Sequence, residues 1–113
     1  MSRRRILIID RQGVARDALA RLLENEGHDV RAAGSAEALE RLREFGPDAI
    51  VYDAESIGDA GFRLEEAAAG NTMMMIELKV GAERRVPGAD DDGRVVLPRP
   101  VNLEDLRLAL RDD

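Results

Sequence analysis

The chain alternates short, continuous apolar runs with longer segments of helical periodicity, and this alternation constrains the fold more than any other feature. The first apolar run covers residues 6–9, and a stripe of apolar residues at helical spacing follows it until Gly27: Val14, Ala18, Leu19, Leu22 and Leu23. Continuous apolar runs are typical of strands that are buried on both faces, and their alternation with helices is typical of βαβ units. The sequence therefore predicts an α/β protein with a parallel sheet.

The same pattern continues to the end of the chain and predicts five strands and four or five helices. The strands are predicted at residues 6–9, 29–33, 49–52, 73–78 and 95–97, and the helices between them at 14–27, 35–45 and 61–69, with a last helix capped by Asn102. Ser35 is the expected N-cap of the second helix, and Gly46 is its expected stop. Residues 80–93 contain three glycines and one proline without an apolar stripe, so a fourth helix there is expected to be short or absent.

Length and composition exclude several classes of protein. The 113 residues suit one globular domain, which we expect to cover the whole of residues 1–113. The longest apolar runs are far shorter than the roughly 20 residues of a membrane span. The basic start Arg3-Arg4-Arg5 is followed by only four apolar residues, too few for a signal peptide. We therefore expect a cytoplasmic protein without a membrane segment.

Charge and side-chain chemistry exclude further functions. With 17 basic and 23 acidic residues the net charge is −6, the wrong sign for direct nucleic-acid binding. No cysteine is present, and His28 is the single histidine. Thiolate zinc sites, cysteine nucleophiles and an ordinary serine triad are thus excluded. His28 itself is expected to be a solvated residue of a helix-to-strand turn.

Charged residues follow several of the predicted strands. Strand one ends in Asp10 and Arg11, strand three in Asp53, strand four reaches Glu77, and strand five leads to Arg99. In an open parallel α/β sheet the functional crevice lies beyond the carboxyl ends of the strands. We expect these three carboxylates and two guanidiniums to converge there.

At these residues the sequence resembles the receiver domain of two-component response regulators, and the resemblance covers essentially the whole chain. The matching pieces are residues 6–10, 19–27, 35–39 and 47–53, the loop glycine Gly61, and Arg99-Pro100 in place of the family's Lys-Pro. The resemblance implies a flavodoxin-like, doubly wound sheet of order 2-1-3-4-5. It also implies that Asp53 stands in the position of the aspartate that accepts a phosphoryl group from a histidine kinase, with Mg²⁺ held by acidic oxygens.

The sequence departs from the family pattern at several places, one of which is Ser56-Ile57, where the family has Met-Pro after the phosphoacceptor. The second acid of the opening strand, a direct metal ligand in the family, is replaced by Arg11. Glu77 aligns with the family's switch hydroxyl, and Arg99 with its lysine. Val96 aligns with the aromatic switch residue. These changes remove a metal ligand and add a fixed positive charge beside the phosphoacceptor position.

The five charged residues at the strand ends sum to a charge of −1: Asp10, Arg11, Asp53, Glu77 and Arg99. We expect ion pairs among them to close the pocket without metal or phosphate. The alternative is that Arg11 and Glu77 turn outward into solvent and pair with nothing.

Two functions follow from these alternatives. The favoured hypothesis is an atypical receiver domain that is not an enzyme, needs no cofactor and signals by contacts with a protein partner, either a histidine kinase or an attached output domain. The rival hypothesis is a working phosphoacceptor at Asp53, with Mg²⁺ bound by Asp10 and Asp53. A third reading, a sensor whose arginines hold a small anion, has no motif in its favour. Under the first two hypotheses the chain could be the N-terminal part of a longer regulator.

Overall fold

The computed structural model describes residues 3–10, 13–53, 74–80, 94–99 and 101–110. The strands are β1 (Arg5–Ile9), β2 (Asp29–Ala33), β3 (Ala49–Asp53), β4 (Met74–Val80) and β5 (Arg94–Arg99). The helices are α1 (Gly13–Asn25), α2 (Ala38–Phe45) and α3 (Leu103–Ala109). The predicted helix over 61–69 and the glycine-rich segment after residue 80 lie outside the described residues. No helix in the described ranges is long and apolar enough to cross a membrane.

The five strands form one sheet, and every neighbouring pair in it is parallel. Their order is β2-β1-β3-β4-β5, which confirms the predicted flavodoxin-like topology. Because parallel strands need a crossover for each connection, the helices cover the two faces of the sheet, and the central strands are buried on both sides. All carboxyl ends of the strands therefore lie along one edge of the sheet.

Two apolar clusters, one on each face, hold the helices to the sheet. The first packs α1 and α3 against one face and includes Ile6, Ile8, Leu19, Leu23, Ala49, Val51, Ile76, Leu78, Val95, Leu97 and Leu106. The second packs α2 against the other face and includes Leu7, Ile9, Leu42, Phe45, Ile50 and Tyr52. Successive residues of a strand alternate between these clusters, as the pleat requires.

The buried stripe of α1 is narrower than the sequence predicts. Leu19 and Leu23, one turn apart, are buried against the sheet, whereas Val14 is 88% exposed and Leu22 is 43% exposed. At about 100° per residue, Val14 lies about 160° around the helix from the midpoint of Leu19 and Leu23. Only part of the predicted stripe can therefore face the sheet, and α1 carries exposed apolar side chains.

The ends of the helices agree with the sequence in two cases out of three. Gly46 follows α2 with a φ of 60°, a left-handed conformation that glycine adopts at little cost. The side chain of Asn102 accepts a hydrogen bond of 2.7 Å from the backbone N–H of Glu104, as expected for the N-cap of α3. The predicted cap at Ser35 is wrong, because a 3-10 turn covers Ser35–Glu37 and α2 begins after Glu37.

His28 is not the solvated residue that the sequence predicts. It is half-buried at the amino end of the sheet, where its Nδ1 accepts a hydrogen bond of 3.1 Å from the backbone N–H of Arg4. The Arg4 guanidinium in turn donates to the carbonyl oxygen of Leu110 at 2.7 Å. Burial, and then the positive charge of Arg4, lower the pKa of His28 below its usual value of 6.5.

This environment predicts a pH dependence of stability. A histidine whose pKa is lowered by folding binds fewer protons when folded than when unfolded, so stability is lost as the pH falls from 6.5 through the lowered pKa. A His28→Gln variant keeps an acceptor for the Arg4 N–H but cannot be protonated. When the pH is lowered from about 7.5 to about 5, the urea concentration at the midpoint of unfolding should therefore fall further in the wild type than in the variant. Equal losses in both proteins would contradict the assignment.

Candidate functional site

Three charged side chains share one face of the sheet at the carboxyl ends of their strands. Each of Asp10, Asp53 and Arg99 stands two and four residues after buried apolar residues of its own strand, so its side chain lies on the same face as theirs. Those apolar residues are Ile6 and Ile8 for Asp10, Ala49 and Val51 for Asp53, and Val95 and Leu97 for Arg99. These apolar residues all belong to the cluster beneath α1 and α3. The alternation of the pleat therefore directs all three charged residues to the same side. We call Asp10, Asp53 and Arg99 the Arg99 triad.

In the Arg99 triad a single guanidinium bridges two carboxylates. Nη1 of Arg99 donates to Oδ1 of Asp53 at 2.8 Å, and Nη2 donates to Oδ2 of Asp10 at 3.2 Å. The side chains of Asp10, Asp53 and Arg99 are only 6%, 14% and 21% exposed. Charged hydrogen bonds at such burial are stronger than surface ion pairs, and loss of one partner leaves a buried charge uncompensated.

A second arginine, which the sequence analysis did not single out, lies beside the triad. Nη1 of Arg16, in the first turns of α1, donates to the backbone carbonyl oxygen of Asp10 at 3.3 Å. Gly34, in the loop after β2, passes close to the same guanidinium, since a Cβ there would lie 3.9 Å from Nη1 of Arg16. The backbone N–H of Asp10 donates to the carbonyl oxygen of Ala33 at 3.2 Å. Asp10 is thus held through its backbone as well as its side chain.

Glu77 stands apart from the Arg99 triad. It lies on β4 between Ile76 and Leu78, which both belong to the cluster beneath α1 and α3, so the alternation places Glu77 on the opposite face of the sheet. It is half-buried, and among the described residues no ion pair joins it to the triad. The residue of β4 that pairs with Asp53 is Leu78. Neither Glu77 nor Leu78 supplies a hydroxyl group next to Asp53.

Two other predicted features of the pocket can be placed only in part. Arg11, the predicted built-in cation, lies outside the described residues. Val96, which aligns with the family's aromatic switch residue, is buried in β5 and pairs with Glu77 of β4. Its side chain is short and aliphatic, so no aromatic ring stands at this position.

The donor set of the triad suits a guanidinium better than a divalent metal ion. Within the described ranges, no group of three or more acidic or histidine residues lies close enough to hold a metal. The two carboxylates that Mg²⁺ would use each give one oxygen to Arg99. A divalent ion bound by both would lie a few ångströms from a fixed positive charge, which costs several kcal/mol at a partly buried site. As arranged here, the residues do not fit Mg²⁺.

Curated proteins similar to this chain are response regulators. The chain is 30% identical over 112 residues to the response regulator MprA of Mycobacterium ulcerans, an alignment that covers 95% of this chain and 48% of that protein. It is 29% identical over 112 residues to MprA of Mycobacterium tuberculosis. The chain thus spans about half the length of the curated relatives that it matches. No family model matches the sequence.

Solved structures with the same fold include receiver domains and response regulators. The CheY-like receiver domain from Methylobacillus flagellatus superposes with a TM-score of 0.75 at 19% identity, over 96% of this chain and 97% of the other. A receiver domain protein from Clostridium thermocellum gives 0.74 at 24% identity, over 93% and 89%. The response regulator PhyR from Brucella abortus gives 0.74 at 17% identity, over 96% of this chain and 46% of its own length. At these identities the superpositions establish the fold.

The fold and the curated relatives together indicate the class: a receiver domain of two-component signalling. The chain belongs to the receiver domains of response regulators.

Proposed function

We propose that this receiver domain signals through protein contacts, without ordinary Mg²⁺-dependent phosphorylation of Asp53. The observation that carries the proposal is the Arg99 triad, in which one guanidinium occupies oxygens of both Asp10 and Asp53. In this role Arg99 is an internal counterion, and it supplies the positive charge that the two carboxylates would otherwise draw from a metal. Asp53 acts as a structural partner of Arg99 and not as a nucleophile.

The planar shape of the guanidinium favours this role. Arginine presents a rigid fork of donors, so it can satisfy two carboxylates at once, whereas the ammonium of a lysine is a compact point charge on a flexible stem. Arg99 takes the place of the lysine in the family resemblance. The substitution therefore supports a closed triad in preference to a pocket that binds and releases a phosphoryl group.

The exposed face of α1 supports signalling by contact. Val14 is 88% exposed, Leu22 is 43% exposed, and Ala18 lies between them at a spacing of four residues. Residues four apart lie on the same side of a helix, so these three form an apolar stripe on the outside of α1. We infer that a signalling partner, either a histidine kinase or an output domain attached to this chain, covers it. Residues 1–113 would then form one receiver unit of a longer regulator.

The second candidate is a working phosphoacceptor. It is favoured by one observation: Asp53 and Asp10 do lie together at the carboxyl edge of the sheet, and both are within reach of the same cation. This candidate requires Arg99 to leave at least one carboxylate and Mg²⁺ to bind in its place. Receiver domains are in general signalling domains and not enzymes, so both candidates involve at most self-phosphorylation.

A Mg²⁺ titration separates the two candidates. We expect the amide resonances of Asp10 and Asp53 in the wild-type protein to stay in place through millimolar Mg²⁺, because the guanidinium already binds one oxygen of each carboxylate. Sodium chloride of equal ionic strength serves as the control for screening. Saturable shifts that are absent from an Asp53→Asn variant would reverse the conclusion in favour of the phosphoacceptor.

A further inference from the structure

A cleft at the opposite end of the sheet from the Arg99 triad has no role in the proposed function. It has a volume of about 320 Å³ and is lined by Arg5, Asp29, Arg31, Arg41, Glu44 and Phe45. Arg5 and Asp29 are register partners at the amino ends of β1 and β2, and Phe45 is the last residue of α2. We call it the Phe45 cleft.

Two guanidiniums each make a cation–π contact with the ring of Phe45. The guanidinium carbon of Arg5 lies 4.8 Å from the ring centroid, and that of Arg31 lies 5.2 Å from it. Such cation–π contacts fix the planes of both groups and reduce the entropy that a ligand contact would cost. Phe45 is buried, so the platform beneath the two arginines is rigid.

Two of the three arginines that line the Phe45 cleft pair with carboxylates, and the third, Arg5, does not pair with a carboxylate of the described residues. Arg31 pairs with Asp29 at 3.3 Å, and Arg41 pairs with Glu44 at 3.2 Å. No carboxylate of the described residues lies within ion-pair distance of the Arg5 guanidinium, whose donors remain available to a ligand. The side chains that line the cleft carry three positive and two negative charges, so its lining has a net charge of +1 in a protein whose net charge is −6.

The outer edge of β2 beside the cleft favours an extended peptide over a free ion as the ligand. β2 is an outer strand of the sheet, and no described strand pairs with its outer edge. An extended segment that adds to such an edge makes main-chain hydrogen bonds, while its alternate side chains reach one face of the sheet. On that face they would meet Arg31 of β2 and Arg5 of β1.

We propose that the Phe45 cleft binds an extended acidic segment of a partner protein. Its backbone lies along the outer edge of β2, and carboxylates of its alternate residues pair with Arg5 and Arg31. The complementary charge of the segment supplies the specificity, since guanidiniums bind carboxylates in a planar, two-pronged geometry. The proposal is independent of whether Asp53 is phosphorylated.

The test uses a fluorescent peptide of alternating glutamate and threonine and a matched peptide with glutamine for glutamate, followed by anisotropy. We expect the glutamate peptide alone to bind and to shift the amide resonances of β2. A double variant R5Q/R31Q should weaken binding about tenfold or more, because two charged hydrogen-bonded contacts are lost. The control R21Q/R43Q removes the same charge from exposed positions outside the cleft and should change affinity less than about twofold.

A charge-conserving variant R5K/R31K protects the test against a folding defect in the glutamine variant. It should weaken binding at least about threefold, because lysine loses the planar fork and the stacking on Phe45. Equal losses of peptide affinity in R5Q/R31Q and R21Q/R43Q would show that binding depends only on the net charge of the protein, and this result would overturn the proposal. Displacement of the peptide by inorganic phosphate at equal concentration would also overturn it, as would self-association of the protein that depends on Arg5 and Arg31.

Discussion

Replacing Arg99 with methionine is expected to destabilise the folded domain by about 3 kcal/mol at neutral pH, the usual size of the effect when one partner of a buried ion pair is removed. Methionine keeps much of the apolar stem of arginine, so the loss of charge dominates the result. Asp10 and Asp53 would then face each other with 6% and 14% of their side chains exposed and without their common counterion. Urea unfolding at constant ionic strength measures the change.

Two further variants make this result specific to the Arg99 triad. Arg43→Met removes an exposed arginine of α2 and should cost less than about 0.5 kcal/mol. In the double variant R99M/D53N both members of the Arg99–Asp53 ion pair are removed together, so the loss should be smaller than the sum of the two single losses, with a coupling of at least about 1 kcal/mol. Additive losses would mean that Arg99 and Asp53 do not stabilise each other.

The same Arg99→Met variant is expected to gain affinity for divalent metal. With the guanidinium removed, the oxygens of Asp10 and Asp53 that now accept hydrogen bonds from Arg99 become available to a metal ion, and the nearby fixed positive charge disappears. We expect Mg²⁺ to bind at least about tenfold more tightly than to the wild type. A ligand that binds the native state alone raises the melting temperature. Thermal unfolding with and without Mg²⁺ should therefore show a larger rise in the variant.

The control for this gain in Mg²⁺ affinity is a second substitution at Asp53. An R99M/D53N variant keeps the destabilised background but lacks one of the two metal-binding carboxylates, so its melting temperature should respond to Mg²⁺ as weakly as that of the wild type. Sodium chloride at matched ionic strength corrects for screening. A wild type that responds as strongly as Arg99→Met would show that Arg99 does not exclude the metal.

Most of the fold could be predicted because β1, β3, β4 and β5 each contain a continuous apolar run, whereas β2 includes Asp29 and Arg31. The boundaries differ where pairing extends beyond the apolar residues: β4 continues to Val80, because Val80 still pairs with Arg99 of β5. The exposed position of Val14 could also have been derived, since it lies far around α1 from Leu19 and Leu23. The half-buried position of His28 could not, because it depends on a hydrogen bond from Arg4, 24 residues away in sequence.

The candidate site was predictable to a similar degree. Asp10, Asp53 and Arg99 follow their strands in phase with the buried residues of one face, so their convergence is a consequence of the pleat. The same alternation assigns Glu77 to the other face, because Ile76 and Leu78 on either side of it are buried. Arg16 left no sequence signature, because it binds a backbone carbonyl and not a side chain.

The most direct measurement of the central claim is the intact mass of the protein after incubation with Mg²⁺ and a small phosphoryl donor such as acetyl phosphate, beside an Asp53→Asn control. Circular dichroism of the same samples establishes that both proteins are folded. We predict that the mass of the wild type stays unchanged, because Arg99 holds both carboxylates. A single phosphoryl adduct on the wild type, absent from Asp53→Asn, would contradict this account and establish Asp53 as a working phosphoacceptor.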